Sequence, residues 1–274
     1  RTGPSGVTGP EARAMTGGRR RGGRILAVLA GFVALVVGAM ELYARQPVAR
    51  ENPVLDLPAD VSALVLVIHG SADADNPLLA EIVAGLTDRY RDEPGAAVRF
   101  VRWAPESDER LRAAATAQAV GRQLGSTLAG IGSLRELQLV AHSSGTFMPD
   151  AICSAFRAGR KSPARITMTL LDPFQIRGFV DWTWGAREHG RCADFALAVI
   201  NTDDPAPATN RPLERAWNLD VTAQPGRATF TRNGHYWPLQ YYRDYLLDQQ
   251  PEIAGWNRAD HPPGAVTIAP EAVP

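Results

Sequence analysis

The chain is poor in cysteine and lysine and carries no net charge. Its 274 residues include two cysteines, and Lys161 is the single lysine among 29 basic residues, which 29 acidic residues balance. A balanced chain has no general attraction to nucleic acids or acidic surfaces, so we expect no nucleic-acid partner. The arginine excess is a compositional bias rather than a sign of chemistry. The length suffices for one large domain with a full core.

The sequence also lacks a histidine pattern that is typical of metal sites. The five histidines are scattered along the chain and lack the spacing of a metal site. We therefore expect neither a metal nor a cofactor. Cys153 and Cys192 could form a disulfide in an exported domain or remain two buried thiols. Both readings stay open because the sequence does not give the distance between the two side chains in the fold.

Long apolar runs are absent except for one near the N-terminus. Residues 25–40 carry no charge, and residues 42–44 extend the run past Glu41. As a helix, residues 25–40 would span about 24 Å, which is short for a bilayer core of about 30 Å, and residues 42–44 lengthen the run. Residues 25–44 are therefore predicted to be an uncleaved signal anchor or a cleaved signal peptide. The anchor is favoured because a small-x-small cleavage site is poor here; a buried core helix is the third reading.

The charge pattern beside the apolar run predicts its orientation. Four arginines precede it, at positions 19, 20, 21 and 24. By the positive-inside rule, the N-terminus stays cytoplasmic and the rest of the chain lies outside the cell membrane, or is secreted if the segment is cleaved. Met15, which opens this arginine-rich stretch, has the pattern of a translation start.

Composition divides the chain into five parts. Residues 1–24 are basic and glycine-rich and are predicted to be disordered. The apolar segment 25–44 leads into a proline-containing linker, 45–61. Residues 62–250 form the main domain. Residues 251–274 are rich in proline and alanine and are predicted to be a loose tail.

Within the main domain, apolar runs alternate with segments of helical periodicity. Strands are predicted at 63–70, 97–103, 137–142, 165–173, 194–204 and 227–234, and helices at 76–92, 108–131, 146–159 and 237–250. This alternation is typical of βαβ units and predicts an α/β fold with a mostly parallel sheet. Residues 174–193 break the rhythm. They contain Trp182 and Trp184 and are interpreted as a lid over a site or as ordinary aromatic packing.

Polar residues follow the third strand in the stretch LVAHSSG, residues 139–145. Polar groups at the end of a buried strand cost free energy unless they have partners, so they need an explanation. A sharp turn from strand to helix needs small residues two before and two after a nucleophilic serine. Ala141 and Gly145 fulfil this for Ser143, which is the predicted nucleophile. An ordinary helix N-cap serine is the alternative.

A candidate acid and a candidate base follow Ser143 along the chain, so that the order is serine, acid, histidine. His235 precedes the last predicted helix and is the candidate general base. Asp172 ends the fourth strand and is the candidate acid, which would orient the imidazole. Asp204 and Asp203 end the fifth strand and remain alternatives, since either strand can supply this group.

Two backbone N–H groups are needed to stabilise the negative oxygen of a tetrahedral intermediate. Ser144 follows the nucleophile at the start of a helix, and Ser71 follows His69 and Gly70 after the first strand. Both are candidate oxyanion donors. The alternative for His69-Gly70 is a plain turn at the end of a strand.

Taken together, these motifs resemble the α/β-hydrolase superfamily and its lipase-like branch, which is related to pancreatic lipases. The matching stretches are VLVIHGSADADNPLL, LQLVAHSSGT, TLLDPF, ALAVINTDD and GHYWPLQYY, spread over residues 62–248. The resemblance implies a three-layer α/β sandwich around a mostly parallel sheet. It also implies a triad of Ser143, Asp172 and His235, which favours Asp172 over Asp204. The sequence departs from the family at Ala141, where the motif has glycine.

The resemblance leads to one expected function and two alternatives. We expect a serine esterase, tethered to a membrane or secreted, that cleaves a small-molecule or lipid ester through an acyl-enzyme. An amidase or thioesterase could use the same triad. A non-catalytic hydrolase-fold protein that binds a ligand at the cell envelope is the alternative from another class. The oligomeric state stays open.

Overall fold

The computed structural model describes residue 3 and residues 15–49, 53–160, 162–204, 208–248 and 257–271. The chain divides into two compact units, residues 1–42 and residues 43–274. Each unit is described by itself.

The N-terminal unit contains most of the long helix α1, Met15–Ala44, whose last two residues belong to the second unit. Its segment Ile25–Ala44 has a mean hydropathy of 2.5 and is long and apolar enough to cross a membrane, and residues 25–40 of it are exposed throughout. A buried core helix does not fit this exposure. The helix begins at Met15, so residues 15–24 are helical where disorder was predicted. Arginine favours helix, and extending an existing helix is easier than starting one. Residues 1–2 and 4–14 of that prediction lie outside the described residues.

A seven-stranded sheet forms the centre of the second unit, with strand order β2-β1-β3-β4-β5-β6-β7. Every neighbouring pair is parallel. The strands are β1 Ala63–Ile68, β2 Ala96–Val101, β3 Glu136–His142, β4 Arg165–Leu171, β5 Phe195–Ile200, β6 Trp217–Asp220 and β7 Val266–Ile268. The predicted α/β fold with a parallel sheet is confirmed.

Helices cover both faces of this sheet. They are α2 Pro77–Arg89, α3 Ala113–Ala129, α4 Phe147–Gly159, α5 Trp184–Glu188, α6 Pro225–Thr229 and α7 Trp237–Tyr241. Alternate residues of β1 point to opposite sides: Leu64 and Leu66 pack with α3 and α4, and Val65 and Val67 pack with α2 and α7. A strand covered on both faces is apolar at every position, which explains the continuous run in β1.

The last two strands differ from the predictions. Residues 227–234 were predicted to form the sixth strand, but residues 225–229 form α6 and the strand is Trp217–Asp220. Pro225 at the start of α6 favours helix there, and a four-residue strand is too short to show periodicity. Within residues 257–271 the tail is not loose, because Val266–Ile268 pair with β6. Residues 251–256 and 272–274 of that prediction lie outside the described residues.

Cys153 and Cys192 form a disulfide with Cα atoms 6.0 Å apart. The bond joins α4 to the segment that enters β5, so it ties the irregular residues 174–193 to the helical layer. The alternative of two free thiols is thereby removed.

Candidate active site

The ends of β3 and β4 place two predicted site residues side by side. His142 pairs with Leu171 at the last position of the parallel register, so Ser143 and Asp172 are the next residues of adjacent strands. Both have positive φ angles, 54° for Ser143 and 45° for Asp172. Residues with a side chain rarely adopt such angles, and holding one there costs about 1–3 kcal/mol. Two such residues at one sheet edge therefore mark a constrained site.

The turn after β3 packs closely against the turn after β1. A Cβ atom on Gly145 would lie 2.4 Å from the carbonyl oxygen of His69, and one on Gly70 would lie 2.7 Å from Cβ of Ser143. Only glycine fits at these two positions. The Ser143 carbonyl accepts hydrogen bonds from Thr146 Oγ1 at 2.6 Å and from the Phe174 N–H at 3.2 Å. The backbone of Ser143 is therefore fixed from several sides.

His235 lies on a 3₁₀ turn, Gly234–Tyr236, and its ring faces two buried carboxylates. Its Nδ1 is 2.5 Å from Asp172 Oδ2 and 3.5 Å from Asp204 Oδ2. Asn201 holds this arrangement together: its N–H donates to Asp172 Oδ1 at 3.3 Å and its Nδ2 donates to the Gly234 carbonyl at 3.0 Å. The structure brings His235 to Asp172 and places Asp204 beside them.

The two carboxylates change the acidity of the histidine. Burial disfavours the imidazolium, but the hydrogen bonds and charges of Asp172 and Asp204 outweigh it and raise the pKa of His235 above its ordinary value. Asp203 does not contact the His235 ring. It lies at the surface, where its carboxylate forms an ion pair with the Arg227 guanidinium at 2.9 Å.

A second pair of an acid and a histidine lies directly behind the first. His142 is fully buried, and its Nδ1 is 2.9 Å from Asp73 Oδ2. Its ring centroid is 4.6 Å from that of His235, and its Nε2 lies 3.3 Å from the His235 carbonyl oxygen. Tyr236 donates its hydroxyl to Asp73 Oδ1 at 3.1 Å. Sequence reasoning missed Asp73, which lies in a turn-forming stretch and has no motif of its own.

Other histidines have structural contacts. The His69 ring accepts a hydrogen bond from the Trp103 N–H at 3.0 Å, and the His69 carbonyl accepts one from Trp103 Nε1 at 2.7 Å. His189 is buried, with Nε2 2.9 Å from the Phe174 carbonyl oxygen. Neither touches Asp172.

The two predicted oxyanion donors contact each other. The Ser71 N–H donates to Ser144 Oγ at 2.9 Å, and the two hydroxyl oxygens are also 2.9 Å apart. The Ser71 N–H therefore has a partner inside the protein. Within the described ranges, no hydrogen bond joins the Ser143 hydroxyl to the His235 ring, so the structure brings together two of the three predicted catalytic residues by direct contact.

A cavity of about 240 Å³ opens beside Ser144. Its walls include Ala114 from α3, and Phe174, Phe179 and Trp182 from the irregular segment. Trp184 instead stacks on Phe147 with ring centroids 5.1 Å apart. The irregular segment thus contributes both a cavity wall and aromatic packing. A larger cavity of about 660 Å³ lies along α3 and α4, and Ser143 and His235 do not line it.

One group of side chains has ligand atoms close enough to hold a metal ion. Atoms of Asp172, Asp204 and His235 lie within 4.8 Å of one another, and this is the one such group that the described part of the chain contains. Nδ1 of His235, the ring atom that faces the carboxylates, is already hydrogen-bonded to Asp172. The absence of a metal remains a prediction.

Comparisons with known proteins add little to this geometry. No family model matches the chain, and no curated protein sequence does. One solved structure that is similar is described as RedJ with a PEG molecule bound in the active site. The match covers 76% of this chain and 96% of that chain, at 17% sequence identity and a TM-score of 0.39. A likeness at this level transfers no activity to this chain.

Proposed function

We propose that this protein is a serine hydrolase of the α/β-hydrolase type that cleaves a carboxylic ester. The observation that carries the proposal is the strained Ser143 beside the Asp172–His235 hydrogen bond, at the carboxyl edge of a parallel sheet. Ligands of open parallel sheets bind beyond this edge. A serine on a sharp turn from strand to helix, beside a buried pair of acid and histidine, is the arrangement that such a nucleophile requires.

The proposed reaction has two steps that share one intermediate. Nδ1 of His235 faces Asp172, so Nε2 is the nitrogen that takes the proton from the Ser143 hydroxyl as Oγ attacks the ester carbonyl. Asp172 orients the ring and stabilises the imidazolium. His235 then gives the proton to the leaving alcohol, and water releases the acyl group from Ser143 by the same route.

The proposed oxyanion donors are the backbone N–H groups of Ser71 and Ser144. For Ser71 to act, its N–H must exchange the Ser144 hydroxyl for the negative oxygen of the intermediate, a stronger acceptor. The cavity beside Ser144 would receive the acyl or alcohol part of a small-molecule or lipid ester. An amidase or thioesterase would use the same groups.

The proposed location follows from α1. Its segment Ile25–Ala44 would act as a signal anchor with a cytoplasmic N-terminus and the hydrolase unit outside, or would be removed from a secreted protein.

Covalent labelling tests the proposal. The full chain in detergent is treated with a fluorophosphonate probe, which reacts with activated serines, and is compared with Ser143→Ala. We expect labelling of the wild type and none of the variant. A folded wild type that resists the probe would contradict the proposal.

A binding protein without catalytic activity is the second candidate. Two observations favour it: the Ser71 N–H is occupied by Ser144, and the Ser143 hydroxyl is not hydrogen-bonded to His235 within the described residues. It predicts no labelling together with saturable binding of an apolar ester analogue.

A further inference from the structure

Two exposed apolar side chains line the cavity beside Ser144, and a third directly follows a lining residue in the sequence. Leu111, Val180 and Trp182 are 55%, 57% and 57% exposed. Leu111 and Trp182 line the cavity, and Val180 follows Phe179, another lining residue. Large apolar side chains that gather at one place on a surface indicate a contact with another apolar phase or protein. These three residues are called the apolar rim below.

The residues that follow α1 are hydrogen-bonded to the start of α3, next to this rim. Arg112 donates from Nε to the Gln46 carbonyl at 2.8 Å and from Nη2 to the Pro47 carbonyl at 2.6 Å. Its guanidinium also lies 5.2 Å from the centre of the Tyr43 ring. One turn further along α3, Thr116 Oγ1 accepts a hydrogen bond from the Val48 N–H at 3.0 Å. Residues 43–48 are thus attached to the start of α3.

This attachment limits how far the rim can lie from the end of α1. Leu111 precedes Arg112, so their Cα atoms are about 3.8 Å apart. Twenty residues at about 1.5 Å each span about 30 Å, the thickness of a bilayer core, so a membrane-spanning Ile25–Ala44 would end at the bilayer surface. Tyr43 would then lie in the interfacial layer that favours tyrosine and tryptophan.

We propose that the apolar rim Leu111, Val180 and Trp182 is a membrane-contact surface that rests on the bilayer holding α1. This proposal rests on α1 spanning a membrane and does not depend on catalysis. Contact would bury the three side chains in the interfacial layer, as amphipathic surfaces do. It would also place the cavity mouth against the lipid, so a ligand could enter from the bilayer without crossing water.

Fluorescence quenching in vesicles tests the contact. The full chain carries one new cysteine with an environment-sensitive dye, at Trp182→Cys, Val180→Cys or Leu111→Cys, and is reconstituted into phosphatidylcholine vesicles containing brominated acyl chains. No free cysteine occurs among the described residues to compete for the dye. Ile268→Cys is the matched control, because Ile268 is 68% exposed on the edge strand β7. Val33→Cys on α1 reports membrane insertion.

We expect the rim dyes to lose about half of their emission and the Ile268 dye to lose little, because only the rim enters the interfacial layer. Strong quenching at Val33 without quenching at any rim position overturns the proposal and leaves the anchor intact. No quenching at Val33 overturns both the membrane-spanning role of α1 and the membrane contact of the rim. Equal quenching at Ile268 indicates general adsorption and also overturns the proposal. Shielding of the rim dyes in detergent that grows with protein concentration assigns the rim to a second copy. Three rim positions keep the test valid if one variant fails to fold.

Discussion

The backbone N–H of Ser71 donates a hydrogen bond to the side-chain oxygen of Ser144, the residue after the candidate nucleophile. Two loops that should create an oxyanion site are therefore joined by the hydroxyl of a neighbouring serine. The contact distinguishes the proposed roles of the two consecutive serines, because the Ser143 hydroxyl would react and the Ser144 hydroxyl would occupy the Ser71 donor until the intermediate forms.

Ser144→Ala should retain activity, whereas Ser143→Ala should lose it. The alanine at 144 keeps the backbone N–H and frees that of Ser71, so we expect kcat to change by less than about fivefold and stability to fall by about 1 kcal/mol. Loss of the nucleophile should lower kcat by at least about 10³-fold. Ester turnover and labelling by the fluorophosphonate probe are measured for both variants. The reverse pattern would identify Ser144 as the nucleophile.

Asp204→Asn should move the acid limb of the pH profile to lower pH. Asp204 helps to raise the pKa of His235, and His235 must be neutral to accept a proton. Without this carboxylate the pKa falls, so the neutral imidazole persists to lower pH. The measurement is kcat/KM against pH. Asp203→Asn is the control, since Asp203 pairs with Arg227 away from the ring; equal shifts in both variants would exclude a specific effect of Asp204.

Asp73→Asn should lower kcat about tenfold, or about 1.4 kcal/mol, with little change in KM. The carboxylate lies 2.9 Å from buried His142, whose Nε2 faces the His235 carbonyl, so its loss should disturb the position of His235. Asp75→Asn is the control, because that side chain is 90% exposed. A change in KM alone, or an equal loss in the control, would mean that Asp73 does not position the base.

Removal of the disulfide should weaken the fold. Cys153 and Cys192 are 39 residues apart, and closing a loop of that size stabilises a protein by about 2–4 kcal/mol. Urea unfolding of Cys153→Ala/Cys192→Ala should show this loss, and the reduced wild type should match it. An unchanged unfolding midpoint in both would mean that the bond carries no stability.

The sequence predicted best those parts that depend on local pattern. The strand β1 and the sharp turn at Ser143 both lie where predicted. Each depends on residues close to it in the sequence: the apolar run in β1, and the small residues on either side of Ser143. β6 and β7 escaped prediction because strands of four and three residues hold too little periodicity. The pairing of Asp73 with His142 also escaped, since it joins residues 69 positions apart through the packing of two loops.

The all-parallel pairing of the sheet affects how this chain must fold. Parallel neighbours cannot be joined by a tight hairpin, so each of the six pairings waits for a crossover to be completed. β1 lies between β2 and β3 in the sheet. Both of these neighbours come after β1 in the sequence, so β1 can pair with them only after they have been synthesised. Folding should therefore be slow compared with that of a helical bundle of similar size. Partly assembled sheets with unpaired edges would be the states most in need of protection by chaperones.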